Sequence, residues 1–390
     1  MSKSKKEQKK KSSQLPFLLK PSYLNNEELN EIVINKYKGK NDSILYKYWT
    51  SPVCNWLVQK VVPSWLAPNL ITFLGFVPIF LHSFLLAQYS PKFEQPIPRY
   101  TAFLSFLTAA FYSYCDNIDG KQARKTDTAT ALGQMFDHGI DCAVGMYMVQ
   151  NIASTLQIGN TWLLYSNYLL ALGGFYLTTW EEYCCEKFYL GYINGADEGT
   201  FLIRMLCLAA FIKPDMFQMT IFGFSISEIT MILMFVAGVP TILTNFVKSF
   251  KSENFKIHGF KWITLSLLPC IVTLSIAIAW RLFNKELFEA HPRLIFTIIG
   301  YFFANINLRV LVAHLSHNFN TWYFAKRLWI LFITPAIYYG LLKSFIDEMV
   351  FLWVFAIVLM LCFLHMFASI TVQMSTSLKI NVFTIKKKKI

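Results

Sequence analysis

Apolar residues run along this chain in long uninterrupted blocks separated by short polar stretches, without the spacing of a one-sided helix or a half-buried strand. A helix needs about 20 such residues to cross a bilayer. Blocks of that kind lie near 69–88, 98–115, 138–156, 162–180, 199–213, 226–247, 262–282, 293–313, 327–344 and 349–373. The fifth is short and contains Arg204, so nine is the alternative count. The pattern predicts an all-α, polytopic integral membrane protein of about ten transmembrane helices.

Composition agrees, with 55% of the 390 residues hydrophobic and only 15% charged. The charges collect in a few loops and at the two ends. Lys and Arg crowd "MSKSKKEQKKKSS", "GKQARK", "KSFKSENFKIHGFK" and "KKKKI", whereas "LQIGNT" has no charge and "RLFNKELFEAHPR" mixes signs. The positive-inside rule then places both termini in the cytosol. The net charge of +13 is explained by basic tails beside anionic lipid. No folded polar region carries a basic face with aromatic readers, so nucleic acid is not an expected partner.

The chain divides by chemistry. Residues 1–42 form a basic cytosolic tail, disordered over 1–22, with a short amphipathic helix from Asn26 as its candidate N-cap. Residues 43–67 carry Trp49, Trp56 and Trp65 and read as an interfacial segment along the membrane surface. A catalytic membrane domain follows over 68–247, then C-terminal membrane helices over 248–378 and a lysine-rich cytosolic tail over 379–390. There is no internal repeat and no cleavable leader pattern. The eight cysteines show no metal-ligand spacing, and structural disulfides are not expected among them.

Between the second and third blocks lies "DNIDGKQARKTDTATALGQMFDHGID", five aspartates and a histidine within one polar stretch. Asp116 and Asp119 are three residues apart and Asp137 and Asp141 four, so on two helices each pair shares a face. Converging carboxylates repel and need cations. Carboxylates without thiolates favour Mg²⁺ or Mn²⁺, and two such ions clamp a diphosphate. Gly120, Ala123 and Gly133 leave room for a nucleotide, Arg124 can fork onto phosphate, and Lys121 and Lys125 add positive potential for an arriving anion. Asp127 is read as a bystander in a loop or cap.

These residues fit D-x2-D-G-x2-A-R-x8-G-x3-D-x3-D at all eight fixed positions. That is the signature of the CDP-alcohol phosphotransferase family, which the chain therefore resembles. "WLAPNLITFLG", "FDHG" and "TWEEY" are similar to its eukaryotic choline/ethanolamine branch. The resemblance implies transfer of phosphocholine or phosphoethanolamine from a CDP-alcohol to diacylglycerol. It implies Asp116, Asp119, Asp137 and Asp141 as ligands of two Mg²⁺ ions. Asn69, Thr72, Gly120, Ala123, Arg124 and Gly133 would bind the CDP part, and His138 or Asp141 would act as general base. An endoplasmic reticulum membrane is the expected location, with the Golgi as an alternative, and because the last four spans carry little site chemistry they are the candidate interface of a homodimer.

Three lesser features are weighed beside the motif. Glu198 is a candidate for the headgroup or for closing the site, with pairing to Arg204 the structural alternative. Glu181 and Glu182 are placed in a cytosolic loop over 181–199, where acids or aromatic faces would suit a headgroup cation. His314 and His317 read as a polar packing patch. Lys387 and Lys388 sit where a dilysine retrieval signal would. Rival readings are an inositol-accepting relative, a membrane prenyltransferase and a cation transporter. A prenyltransferase would show two aspartate-rich motifs, and a transporter would not need Gly120, Ala123 and Arg124 at fixed spacing.

Overall fold

The computed structural model describes residues 23–35, 37–320 and 328–385. The disorder expected over 1–22 and the dilysine at Lys387 and Lys388 lie outside the described residues. What is described is almost entirely helical, with two very short strand pairs.

Helix α1 is Asn26–Ile34 and α2 is Ser51–Lys60. Asn25 caps α1, not Asn26. Its side chain accepts from the Glu28 backbone and Glu28 reaches back, a reciprocal capping box. Then come α3 (Pro68–Tyr89), α4 (Arg99–Lys125), α5 (Ala131–Thr155), α6 (Trp162–Cys185), α7 (Thr200–Ile212) and α8 (Ile226–Ser249). The last five are α9 (Glu253–Phe283), α10 (Lys285–Ala290), α11 (Pro292–Leu315), α12 (Leu328–Ile337) and α13 (Glu348–Leu378).

Each predicted block coincides with a helix, and among the described residues five helices (α3, α8, α9, α11 and α13) are long and apolar enough by themselves to cross a membrane. Helices α4, α5 and α6 are as long but carry polar faces into the interior. The hydropathy blocks misplace their ends. The block expected to stop at 115 continues as helix to Lys125, and the one expected to start at 138 begins at Ala131. The stretch read as a polar connection is therefore two helix ends joined by a five-residue turn over 126–130. Likewise Glu181 and Glu182 belong to the last turns of α6, not to a loop.

Helix α11 is the hub. It is largely buried and packs against α5, α6, α9 and α13, while α3 packs on α4 and α5, and α4 on α7. Gly139 allows α13 to approach α5, because a Cβ there would lie 2.5 Å from the Phe367 ring. Within α9, Gly259 (φ 76) breaks the helix just before the apolar stretch begins.

The interfacial segment is fastened to α4 by polar contacts. Lys121 Nζ donates to Ser51 Oγ (2.8 Å), Gln122 to the carbonyls of Pro63 and Leu66, and Lys125 to those of Val58 (2.5 Å) and Val62. The two lysines thus hold the α2 region rather than standing ready for an anion. Trp49, Trp56 and Trp65 remain more than half exposed, as residues seated in a headgroup layer would be.

Candidate active site

Helix α4 brings Asp116 and Asp119 to one face of its last turns, and α5 brings Asp137 and Asp141 to one face of its first turns. Carboxylate oxygens of Asp116, Asp137 and Asp141 all lie within 4.8 Å of one another, a group able to hold a metal ion. Asp119 stands beside that group. Its buried carboxylate accepts from Thr72 Oγ1 and meets the side chain of Asp137. Asp141 accepts from the Tyr112 hydroxyl, a contact with no local sequence signal.

The decisive atom is Asp137 Oδ1, which is buried without any hydrogen-bond partner. Folded proteins rarely leave a buried carboxylate oxygen unpartnered, because its lost hydration costs several kcal/mol. A divalent cation between the three acids satisfies it, so the donor set fits a hard cation held by oxygen ligands.

Beside the acids, Asn69 in the first turn of α3 faces Gly133 at the start of α5, and Gly120 and Arg124 lie on the end of α4; the strip between them is the candidate nucleotide groove. A Cβ at Gly133 would meet nothing nearer than Asn69 Oδ1, at 3.9 Å, and one at Gly120 only the Arg124 guanidinium, at 3.5 Å. Packing therefore does not demand either glycine; their smallness keeps the groove open. Ala123 lies one turn beyond Gly120, and Arg124 is exposed at the groove's rim. The proposed CDP contacts Asn69, Thr72, Gly120, Arg124 and Gly133 are thus brought together. Asp127, as expected of a bystander, sits in the turn after α4 with φ 55.

Around His138 the structure assembles what the sequence kept apart. Its Nδ1 is 3.8 Å from Glu182 Oε2, and its ring packs 5.1 Å from that of Phe188. Glu182 also accepts from Gln134 (2.7 Å) and lies 3.4 Å from His314 Nε2, so His314 faces a carboxylate after all. Glu182 Oε2 is a second buried carboxylate oxygen without a hydrogen bond. These residues come from α5, α6 and α11, and their meeting is tertiary, with no spacing to reveal it.

A strap from the N-terminal region covers this wall. Strand β1 (Gly39–Asn41) pairs in parallel with β2 (Phe188–Leu190). Beyond it, Asn41 donates to Asp197 (2.8 Å), while Ser43 Oγ (2.6 Å) and the Leu45 backbone donate to Glu198. Glu198 therefore ties the strap to the loop before α7, and it does not pair with Arg204. The Arg204 guanidinium instead donates to the Thr200 carbonyl and lies over Phe201. Burial pushes the Asp197 carboxyl up, with the Asn41 and Asn194 amides opposing.

The Tyr37 ring folds back over Gly39, where any side chain would collide with it. Burial of its hydroxyl, then the charges of Glu182 and Asp137, push that phenol up, while Arg124 pulls the other way. Tyr37 thus lies within electrostatic reach of the acids and the arginine, a position no local motif announces.

A family model described as CDP-alcohol phosphatidyltransferase matches residues 65–243, a span containing α3 to most of α8 and every motif residue. The chain carries a CDP-alcohol phosphatidyltransferase family domain. Cholinephosphotransferase 1 of Danio rerio is 27% identical over 383 residues, covering 94% of this chain and 96% of that protein. Ethanolaminephosphotransferase 1 of Mus musculus is 27% identical over 382 residues, covering 94% and 95%. An uncharacterized CDP-alcohol phosphatidyltransferase class-I family protein of Dictyostelium discoideum is 35% identical over 254 residues, covering 64% of this chain and 60% of that protein. The CDP-alcohol phosphatidyltransferase family is divalent-metal dependent, in keeping with the unsatisfied Asp137 oxygen.

Proposed function

We propose that the protein transfers phosphocholine or phosphoethanolamine from a CDP-alcohol to the free hydroxyl of 1,2-diacylglycerol, releasing CMP. The observation that carries this reading is the three-carboxylate group beside Gly120 and Gly133, where a side chain would have room, and the exposed Arg124. Near-full-length similarity to a choline and an ethanolamine phosphotransferase supplies the substrate class.

Asp116, Asp119, Asp137 and Asp141 would hold two divalent ions, Mg²⁺ or Mn²⁺, which neutralise the diphosphate and the charge gathering on the departing CMP. Arg124 adds a planar donor at the phosphates. The diacylglycerol oxygen bonds to the phosphorus carrying the headgroup. The bond from that phosphorus to the bridging oxygen breaks, and CMP leaves with the electron pair.

The hydroxyl proton goes to His138 in this scheme. Its Nδ1 side faces Glu182, which leaves Nε2 for the alcohol and places a carboxylate where it steadies the imidazolium. Asp141 is the poorer base, since Tyr112 already donates to its carboxylate and its oxygens belong to the metal group. Diacylglycerol would arrive through the bilayer and the CDP-alcohol from the cytosol, in an endoplasmic reticulum membrane with both termini cytosolic.

Purified protein supplied with diacylglycerol, Mg²⁺ and each labelled CDP-alcohol should form labelled phospholipid and CMP. If neither substrate reacts while CDP-diacylglycerol with inositol does, the substrate assignment is wrong.

A further inference from the structure

Beyond α13 the chain does not trail away. Lys379 takes a left-handed conformation (φ 57), the Ile380 backbone donates to the Ser375 carbonyl, and the chain turns back across the molecule. Residues 381–385 then lie against the helices that frame the groove. Thr384 bridges Leu66 just before α3. The Phe383 ring packs edge-on to Phe136 at 5.6 Å and tilted to Phe73 at 6.1 Å. Phe136 immediately precedes Asp137 on α5, so the segment spans the α3 and α5 sides of the site.

Besides that backbone bridge, its side-chain polar contact with the α3 side of the site, among the described residues, is made through Asn69. This buried side chain donates its Nδ2 to the Val382 carbonyl (3.1 Å), a partner 313 residues away in sequence. An asparagine amide has a donor end and an acceptor end. With the donor end held by Val382, the end that looks across the groove toward Gly133 is Oδ1.

We infer that residues 380–385 are a strap that positions Asn69 for nucleotide recognition. The Val382 carbonyl holds the amide so that an acceptor oxygen meets a donor on the nucleoside, either an exocyclic amine or a sugar hydroxyl. This rests on the phosphotransferase reading for the identity of the ligand, but not for the geometry. Val382 acts through its backbone and Phe383 through packing, so both are positioning residues.

Three forms of the full protein separate the strap from the tail: a truncation after Lys379, a truncation after Ile385, and Phe383→Ala. Removing the strap, or loosening it with Phe383→Ala, should raise KM for the CDP-alcohol and Kd for CMP about five- to tenfold, the worth of one neutral hydrogen bond. Values of kcat and of KM for diacylglycerol should stay close to wild type, and truncation after Ile385 should change none of them. Should the truncation after Lys379 fold poorly, Phe383→Ala retains the chain and reads the same split. A loss of kcat with unchanged nucleotide KM, or equal shifts in both substrate KM values, would overturn the positioning role. Strap-dependent CMP binding in a protein that makes no phospholipid would keep the strap and sink the proposed reaction.

Discussion

The two ends of the helix bundle handle buried charge in opposite ways. At the end remote from the site, Arg293 donates to the carbonyls of Ser90 and Leu86 and to Ser154 Oγ, and its guanidinium lies 4.5 Å from the Phe93 ring. Arg281 donates to the Asn160 backbone and side chain and lies 4.8 Å from the Phe288 ring. These cations cap helix ends and loops and are satisfied by the protein itself. At the other end, Asp137 Oδ1 and Glu182 Oε2 are buried with no hydrogen bond. A protein that finds backbone partners for buried arginines could pack its acids equally well. Among the described residues these two are the carboxylate oxygens left unmet in this way, and an unmet charged oxygen costs more than a neutral one, which fits a cation at the acid end.

If the ends differ in this way, removing a charge should cost activity at one and stability at the other. The largest effect is expected for Asp137→Ala, which should reduce phospholipid synthesis to background while the melting temperature in detergent without metal stays the same or rises, as carboxylate repulsion is relieved. Full activity in that variant would remove the metal assignment. His138→Ala should cost about 10²- to 10⁴-fold in kcat with KM for the CDP-alcohol little changed, as expected for loss of a general base. A change in KM alone would make His138 a packing residue. At the opposite end, Arg293→Met should leave per-molecule activity near wild type and lower stability by about 3 kcal/mol, read as a drop in melting temperature. The smallest effect belongs to the covering strap: Gly39→Ala must move the Tyr37 ring, and a modest fall in kcat/KM with unchanged melting temperature is the expected result.

How much of this was visible beforehand differs between the ends as well. The acids were legible because their spacing is local, and the i,i+3 and i,i+4 intervals put each pair on one helix face whatever the rest of the fold does. Hydropathy found the long membrane helices but not the short α2 and α10, and it misjudged where α4 ends and α5 begins, because it stops counting at the first charges while the helices run on through them. Lys121 and Lys125 looked like anion attractors, since nothing in sequence says that the α2 region folds back beneath them. In sequence Glu182 reads only as a loop acid and His314 only as part of a polar packing patch, and nothing links either to His138. They lie on different helices far apart in sequence, and only the packing of α6 on α11 and α5 brings them to His138. Residues 380–385 were grouped with a basic tail on charge alone, and their contact with Asn69 spans nearly the whole chain.

The central claim, that the unsatisfied acid end is a cation-dependent nucleotide site, is tested most directly by equilibrium binding of CMP to the purified protein in Mg²⁺ and in EDTA. Binding should be seen in Mg²⁺, be lost in EDTA, and be lost in Asp137→Asn under both conditions. Equal affinity with and without the divalent ion in the unaltered protein would contradict the account.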